Sequence, residues 1–150
     1  MAQVGIFVGT VYGNALMVAE EAQAILQQLG HTVALFEEGT LSDWQNYADQ
    51  HVLVVTSTTG QGDLPDTLAP LFSALRDSLG EQRALRYGVI ALGDRGFTHF
   101  CGAGHRVDSL LQEQGATRLG EVLEVDAQST PEPEAVTSPW VSEWARRLVA

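Results

Sequence analysis

Apolar and polar positions along the chain switch repeatedly between a strand-like run and a helical stripe. Residues 3–8 (QVGIFV) form a short, mostly apolar run that predicts a strand. Over residues 15–29, Ala15, Val18, Ala19, Ala22, Leu26 and Leu29 share one helical face, and Gly30 supplies the stop. Residues 31–36 (HTVALF) predict a second strand, and residues 41–47 a short helix or turn with Ser42 as its cap. Residues 51–56 (HVLVVT) are the most β-branched run and predict a central, buried strand. A helix follows over 66–79, with Leu68, Leu71, Phe72, Leu75 and Leu79 on one face and Pro70 near its first turn. Residues 87–92 (YGVIAL) predict a further buried strand. A helix over 104–114 then points Val107, Leu110 and Leu111 inward and ends at Gly115. A last strand is predicted over 119–125. Ser138 and Pro139 read as the cap and first position of a final helix with Trp140, Trp144 and Leu148 as its stripe.

The order is βαβαβαβαβα, five strands and five helices. Such alternation predicts an α/β fold with a parallel sheet covered on both faces. No internal repeat interrupts it. The polar, acidic tract over 126–138, broken by Pro131 and Pro133, reads as the connection to the last helix. A single domain over residues 1–150 is therefore expected. In such sheets ligands sit beyond the carboxyl ends of the strands, so the loops that follow strands carry the interest.

Composition narrows the chemistry. The 150 residues include 45% hydrophobic and 18% charged residues, with a net charge of −11. All eight basic residues are arginine. The missing lysine excludes a Walker phosphate loop, Schiff-base chemistry and a lysine-dependent phosphorelay receiver. The one cysteine, Cys101, excludes a disulfide framework and a multi-cysteine metal centre. Strong negative charge argues against nucleic-acid and anionic-membrane partners and favours basic protein faces. The N-terminal residues show no signal-peptide pattern, and no apolar run reaches the roughly 20 residues of a membrane span. A cytoplasmic location is expected.

Three strand-following loops stand out. Gly9-Thr10-Val11-Tyr12-Gly13-Asn14-Ala15 opens directly onto a helix, where free N–H groups and the helix dipole favour a phosphate. The same loop reads also as a plain strand-to-helix turn capped by Asn14. It contains no Gly-x-Gly-x-x-Gly fingerprint. Thr56-Ser57-Thr58-Thr59-Gly60-Gln61-Gly62-Asp63 follows the third strand, and its glycines allow close approach to a flat ligand. Gly93-Asp94-Arg95-Gly96-Phe97-Thr98-His99-Phe100-Cys101 follows the fourth. Its two aromatic rings suit stacking on a planar ring or plugging of the core edge.

One phosphate loop and two ring-gripping loops, in this order, resemble the flavodoxins over the whole chain. The likeness is to short-chain bacterial flavodoxins and to the flavin-mononucleotide domains of diflavin reductases. Thr10-Val11-Tyr12-Gly13-Asn14-Ala15 resembles the family's Thr/Ser-x-Thr-Gly-Asn-Thr/Ala, departing at Tyr12. Ser57-Thr58-Thr59-Gly60-Gln61-Gly62-Asp63 resembles Thr-x-Gly-Glu-Gly-Asp. Leu92 to Cys101 resembles Leu-Gly-(Asp/Asn)-x-x-Tyr-x-x-Phe-(Cys/Asn), with Phe97 in the tyrosine position. The resemblance implies a flavodoxin-like three-layer sandwich of sheet order 2-1-3-4-5, bound FMN, and one-electron transfer. It implies contacts to FMN from Thr10, Val11, Tyr12, Gly13, Asn14, Ala15, Thr58, Thr59, Gly60, Gln61, Gly62, Leu92, Gly93, Asp94, Arg95, Phe97, Phe100 and Cys101. A flavodoxin reductase and redox acceptor proteins are the implied partners, docking a monomer on its acidic face.

Two features would tune the flavin. Asp63, Asp66, Asp94 and Asp126 would disfavour its reduced anion and Arg95 would oppose them. One carboxylate about 10 Å away costs roughly 0.4–0.8 kcal/mol, or about 20–35 mV per electron. By resemblance, the Gly60 carbonyl turns toward flavin N5 on reduction, which a glycine permits at little steric cost. No catalytic acid, base or nucleophile is expected. His99, Cys101 and His105 lack the fourth ligand of a metal site. Other readings are an FMN-dependent NAD(P)H:quinone-type oxidoreductase, for which no dinucleotide site is evident, and a flavin-free binding module.

Overall fold

The computed structural model describes residues 2–11, 13–59, 62–94, 96, 101–127 and 132–148. In chain order the elements are β1 (Gln3–Gly9), α1 (Asn14–Gln28), β2 (Thr32–Phe36), α2 (Leu41–Gln45) and β3 (His51–Thr56). Then come α3 (Ala69–Ser78), β4 (Arg86–Gly93), α4 (Gly102–Glu113), β5 (Thr117–Arg118), β6 (Leu123–Asp126) and α5 (Glu134–Ala145). The strands run parallel in the order β2-β1-β3-β4-β5, with β6 also on β4. The expected 2-1-3-4-5 sandwich is present.

The apolar strands are continuous because each must feed two layers. Val4, Ile6 and Val8 of β1, Leu53 and Val55 of β3, and Ile90 and Leu92 of β4 pack with Val18, Ala22 and Leu26 of α1 and Trp144 of α5. The alternate positions Phe7, Val52, Val54, Val89 and Ala91 pack with Leu71 and Leu75 of α3 and Val107 and Leu111 of α4. Gly88 makes the first layer possible, since a Cβ there would collide with the Trp144 indole.

Both predicted glycine stops form paired backbone caps. After α1, the Gly30 N–H donates to the Gln27 carbonyl (3.0 Å) and the His31 N–H to that of Leu26 (3.1 Å), with Gly30 at φ +95°. After α4, Gly115 and Ala116 repeat the pattern on Gln112 and Leu111. Leu29, expected inside, is 54% exposed because the chain is already leaving the helix there.

Four expectations are corrected. The cap of α2 is Thr40, which accepts from the Asp43 N–H and whose own N–H donates back to that carboxylate. Helix α3 starts at Ala69, because Pro70 lacks an N–H and fits only the first turn. The last strand is split: residues 119–122 leave it, Gly120 adopts φ +80°, and the Arg118 guanidinium donates to the Gly120 carbonyl at 2.9 Å. Helix α5 starts at Glu134, so part of the expected loop is helical and Pro139 lies inside the helix. Its buried face is Thr137, Val141, Trp144 and Ala145, while Trp140 stacks on Trp144 at 6.1 Å. Among the described residues no helix is long and apolar enough to cross a membrane.

Candidate functional site

Because all strands are parallel, the loops after β1, β3 and β4 leave one edge of the sheet. The chain connects β1 to β2 on one side and returns to β3 on the other. The crevice between these crossovers is where open parallel sheets hold ligands, a rule that flavodoxins themselves illustrate.

The first loop is pulled toward the third strand. The Ser57 N–H donates to the Gly9 carbonyl at 2.9 Å, and the Thr10 N–H donates to Thr67 Oγ1 at 2.9 Å. A Cβ on Gly9 would lie 2.7 Å from Thr56 Oγ1, so only glycine lets the strands stay this close there. Thr10 Oγ1 accepts from the Gly13 N–H at 2.9 Å and keeps its own proton to donate. Gly13, not Asn14, is the N-cap of α1, in the left-handed region at φ +89°, with no side-chain cap. The first N–H groups of a helix lack intrahelical acceptors. Among the described residues, a Cβ built on Gly13 would meet nothing within 4 Å, so the start of the helix is open there. Val11 is 48% exposed beside it. Ala15 is buried, so its side chain belongs to the core.

Thr59 and Asp63 close the second loop through an antiparallel bridge. Thr59 and Asp63 exchange two backbone hydrogen bonds of 2.9 and 2.8 Å, and the Gly62 N–H donates to the Thr59 carbonyl at 3.0 Å. Gly62 sits at φ +85°. Its backbone presses on Gly102 at the start of α4, where a Cβ would lie 2.9 Å from Gly62 Cα. Thr58 Oγ1 accepts from the Ala103 N–H at 3.4 Å. Asp63 is paired with Arg106 at 3.3 Å, and that guanidinium lies 5.6 Å over the Phe72 ring.

The two ends of the third loop, Gly93 and Cys101, lie against each other. A Cβ on Gly93 would stand 2.7 Å from the Cys101 N atom. The Gly96 N–H donates to Asp94 at 2.7 Å, and the Ala127 N–H to the Gly93 carbonyl at 2.9 Å. Cys101 is the N-cap of α4 at φ +54°. Its thiol is buried, donates to the Ala91 carbonyl at 3.3 Å, and is pushed up to about 12, chiefly by burial and then by the Glu124 carboxylate. The dipole-stabilised thiolate that a helix start can provide is therefore not formed. Leu92 is likewise a core residue, so both offer a ligand only backbone.

The structure thus gathers Thr10, Val11, Gly13, Asn14, Thr58, Thr59, Gly62, Gly93 and Asp94 at one edge. Tyr12, Gly60, Gln61, Arg95, Phe97 and Phe100 lie outside the described residues, as does His99. His105 pairs with Glu124 at 2.7 Å, and among the described residues no cluster could hold a metal. Two contributors went unread in the sequence. Thr67 lies inside the stretch read as helix, and Arg106 gives no local signal, because each acts on a partner far along the chain. Arg106 offsets an acidic charge at this edge by pairing with Asp63.

The donor set fits a phosphate monoester. It offers helix N–H groups, hydroxyls and an open left-handed cap.

Comparison with known proteins agrees. The flavodoxin family model matches residues 6–140. The chain is 63% identical to flavodoxin YqcA of Pectobacterium carotovorum subsp. carotovorum, over 97% of this chain and 96% of that one. It is 32% identical to protein MioC of Escherichia coli (strain K12), over 99% of each. Among solved structures, a C101A mutant of a Pseudomonas aeruginosa flavodoxin is 40% identical, superposes with a TM-score of 0.90, and covers 97% of this chain and 98% of that one. Fold, loops and relatives agree that the chain belongs to the flavodoxin family, FMN-binding electron carriers, and is a member of the YqcA/MioC-like kind.

Proposed function

We propose that the chain holds FMN where its three loops meet, and carries single electrons from a flavodoxin reductase to an acceptor enzyme. The observation that carries this reading is the uncapped, left-handed Gly13 at the start of α1. Thr10, Val11, Tyr12, Gly13, Asn14 and Ala15 surround the phosphate there, held by N–H and hydroxyl donors without a counter-charge. Thr58, Thr59, Gly60, Gln61 and Gly62 line one side of the ring. Leu92, Gly93, Asp94, Arg95, Phe97, Phe100 and Cys101 line the other, with Phe97 as its stacking face. Bound FMN supplies the one-electron chemistry, and the chain's part is to bind, orient and bias it electrostatically. The protein works as a cytoplasmic monomer that meets basic partner faces.

The test is titration with FMN, followed by visible absorption and flavin fluorescence. One equivalent is expected to bind with quenching, and Phe97→Ala to weaken binding by about 1–3 kcal/mol. Gly60→Ala is expected to shift the separation of the two one-electron potentials. Absent binding removes the reading. NAD(P)H oxidation by the FMN-loaded protein without a reductase would replace it with the oxidoreductase alternative.

A further inference from the structure

Thr67 faces two ways. Its hydroxyl holds the Thr10 backbone of the phosphate loop, and it also lines an open groove between the β2–α2 connection and the start of α3. Leu41, Leu71 and Ala74 form the apolar part of that groove, and Glu38 and Asp66 stand at its rim. Leu71 is 3% exposed, whereas both rim residues are exposed. No basic residue lines the groove. Among the described residues neither rim carboxylate has an ion-pair partner, in contrast to Asp63 with Arg106. The chain as a whole carries −11, so nothing in its net field neutralises them.

An open groove with an apolar wall and two unpaired carboxylates in its lining matches one kind of occupant: a long aliphatic stem with a cationic head. Burial of the stem and a charge-assisted bond at the head reinforce each other. We propose that this groove receives an arginine or lysine side chain projecting from the basic face of a redox partner protein. The inference rests on the electron-carrier reading and gives it a place. Through Thr67 the occupant would lie against the loop that holds the cofactor, so docking registers the partner on the redox edge of the sheet.

The test is stopped-flow reduction of the FMN-loaded protein by an NADPH–flavodoxin reductase at low ionic strength. The pair Glu38→Gln with Asp66→Asn is expected to lower the second-order rate roughly three- to tenfold, an effect that added salt erases. Ala74→Arg places a guanidinium inside the groove and is expected to slow the reaction likewise. The pair Glu20→Gln with Glu21→Gln removes the same charge from exposed positions of α1, on the opposite face of the sheet. It is expected to change the rate by less than about twofold. Equal slowing by both pairs, or none by the groove pair, overturns the proposal. So does self-association that the groove pair abolishes, which would seat a second copy of this chain there. FMN affinity, measured separately by fluorescence, separates the two readings: a parent that binds no FMN removes the carrier function, whereas normal FMN binding with unaffected rates removes the groove alone.

Discussion

Single residues set both the shape of the site and its dependence on pH. Gly13 adopts φ +89° with open space where a side chain would go, so Gly13→Ala meets backbone strain and no clash. It is expected to cost about 1–2 kcal/mol in urea denaturation of the FMN-free protein. Thr137 shows the opposite case, a buried hydroxyl without a partner among the described residues. Thr137→Val keeps the shape and removes the orphaned polar atom, so it is expected to be neutral or to raise the melting temperature. The titratable core residues act at both ends of the pH scale. Burial raises the Cys101 thiol above its ordinary 9.0 to about 12 and raises the Tyr87 phenol, which also donates to Asp108. Both are held neutral by folding, so their contribution is complete below the ordinary values and is lost as pH rises past 9.0 for the thiol and 10.0 for the phenol. Burial lowers the His51 imidazole below its ordinary 6.5, and its contribution is lost as pH falls below that value. Urea midpoints are expected to decline on both flanks. A midpoint that held constant from pH 7 to 11 would contradict the thiol and phenol assignments.

At the scale of elements, legibility followed how local the cause was. β3 and β4 were readable because a strand buried on both faces must be apolar throughout. The ends of α1 and α4 were readable because Gly30 and Gly115 act on their own helix. The α5 start was misread because Ser138-Pro139 imitates a cap, while the true face of Thr137, Val141 and Trp144 begins before it. The break at Gly120 depends on Arg118 reaching its carbonyl, and no hydrophobic pattern encodes that. The three loops could be found because they follow strands. Their fastening could not, since Thr10–Thr67 and Asp63–Arg106 join residues 57 and 43 apart. A similar long-range device anchors the α2 region. The Trp44 indole N–H donates to Gln82 (2.7 Å), Gln82 donates to Gln114 (2.5 Å), and Gln114 donates to the Leu75 and Leu79 carbonyls (2.8 and 2.7 Å). Gln114→Ala leaves several buried groups unpaired and is expected to cost about 1–3 kcal/mol in chemical denaturation. A smaller loss would mean that water replaces the amide.

For the whole molecule, charge distribution governs encounters. With −11 on 150 residues and no lysine, reactions with basic proteins should be steered. Electron transfer from the FMN-loaded protein to cytochrome c, a basic haem protein, is expected to slow steadily as ionic strength rises past about 0.1 M. Transfer to an uncharged quinone is expected to change little. Equal salt dependence for both acceptors would show that steering does not limit the rate.

The burial of Cys101 has a practical consequence. Its sulfur is closed to thiol-directed reagents in the native state, and the sequence has no other cysteine to compete with a new one. A cysteine introduced on the rim of the groove would then be the sole attachment point for a spin label. Distances from such a probe to a flavin radical would turn the molecule into a ruler, reporting where a visiting protein settles without removing any native thiol.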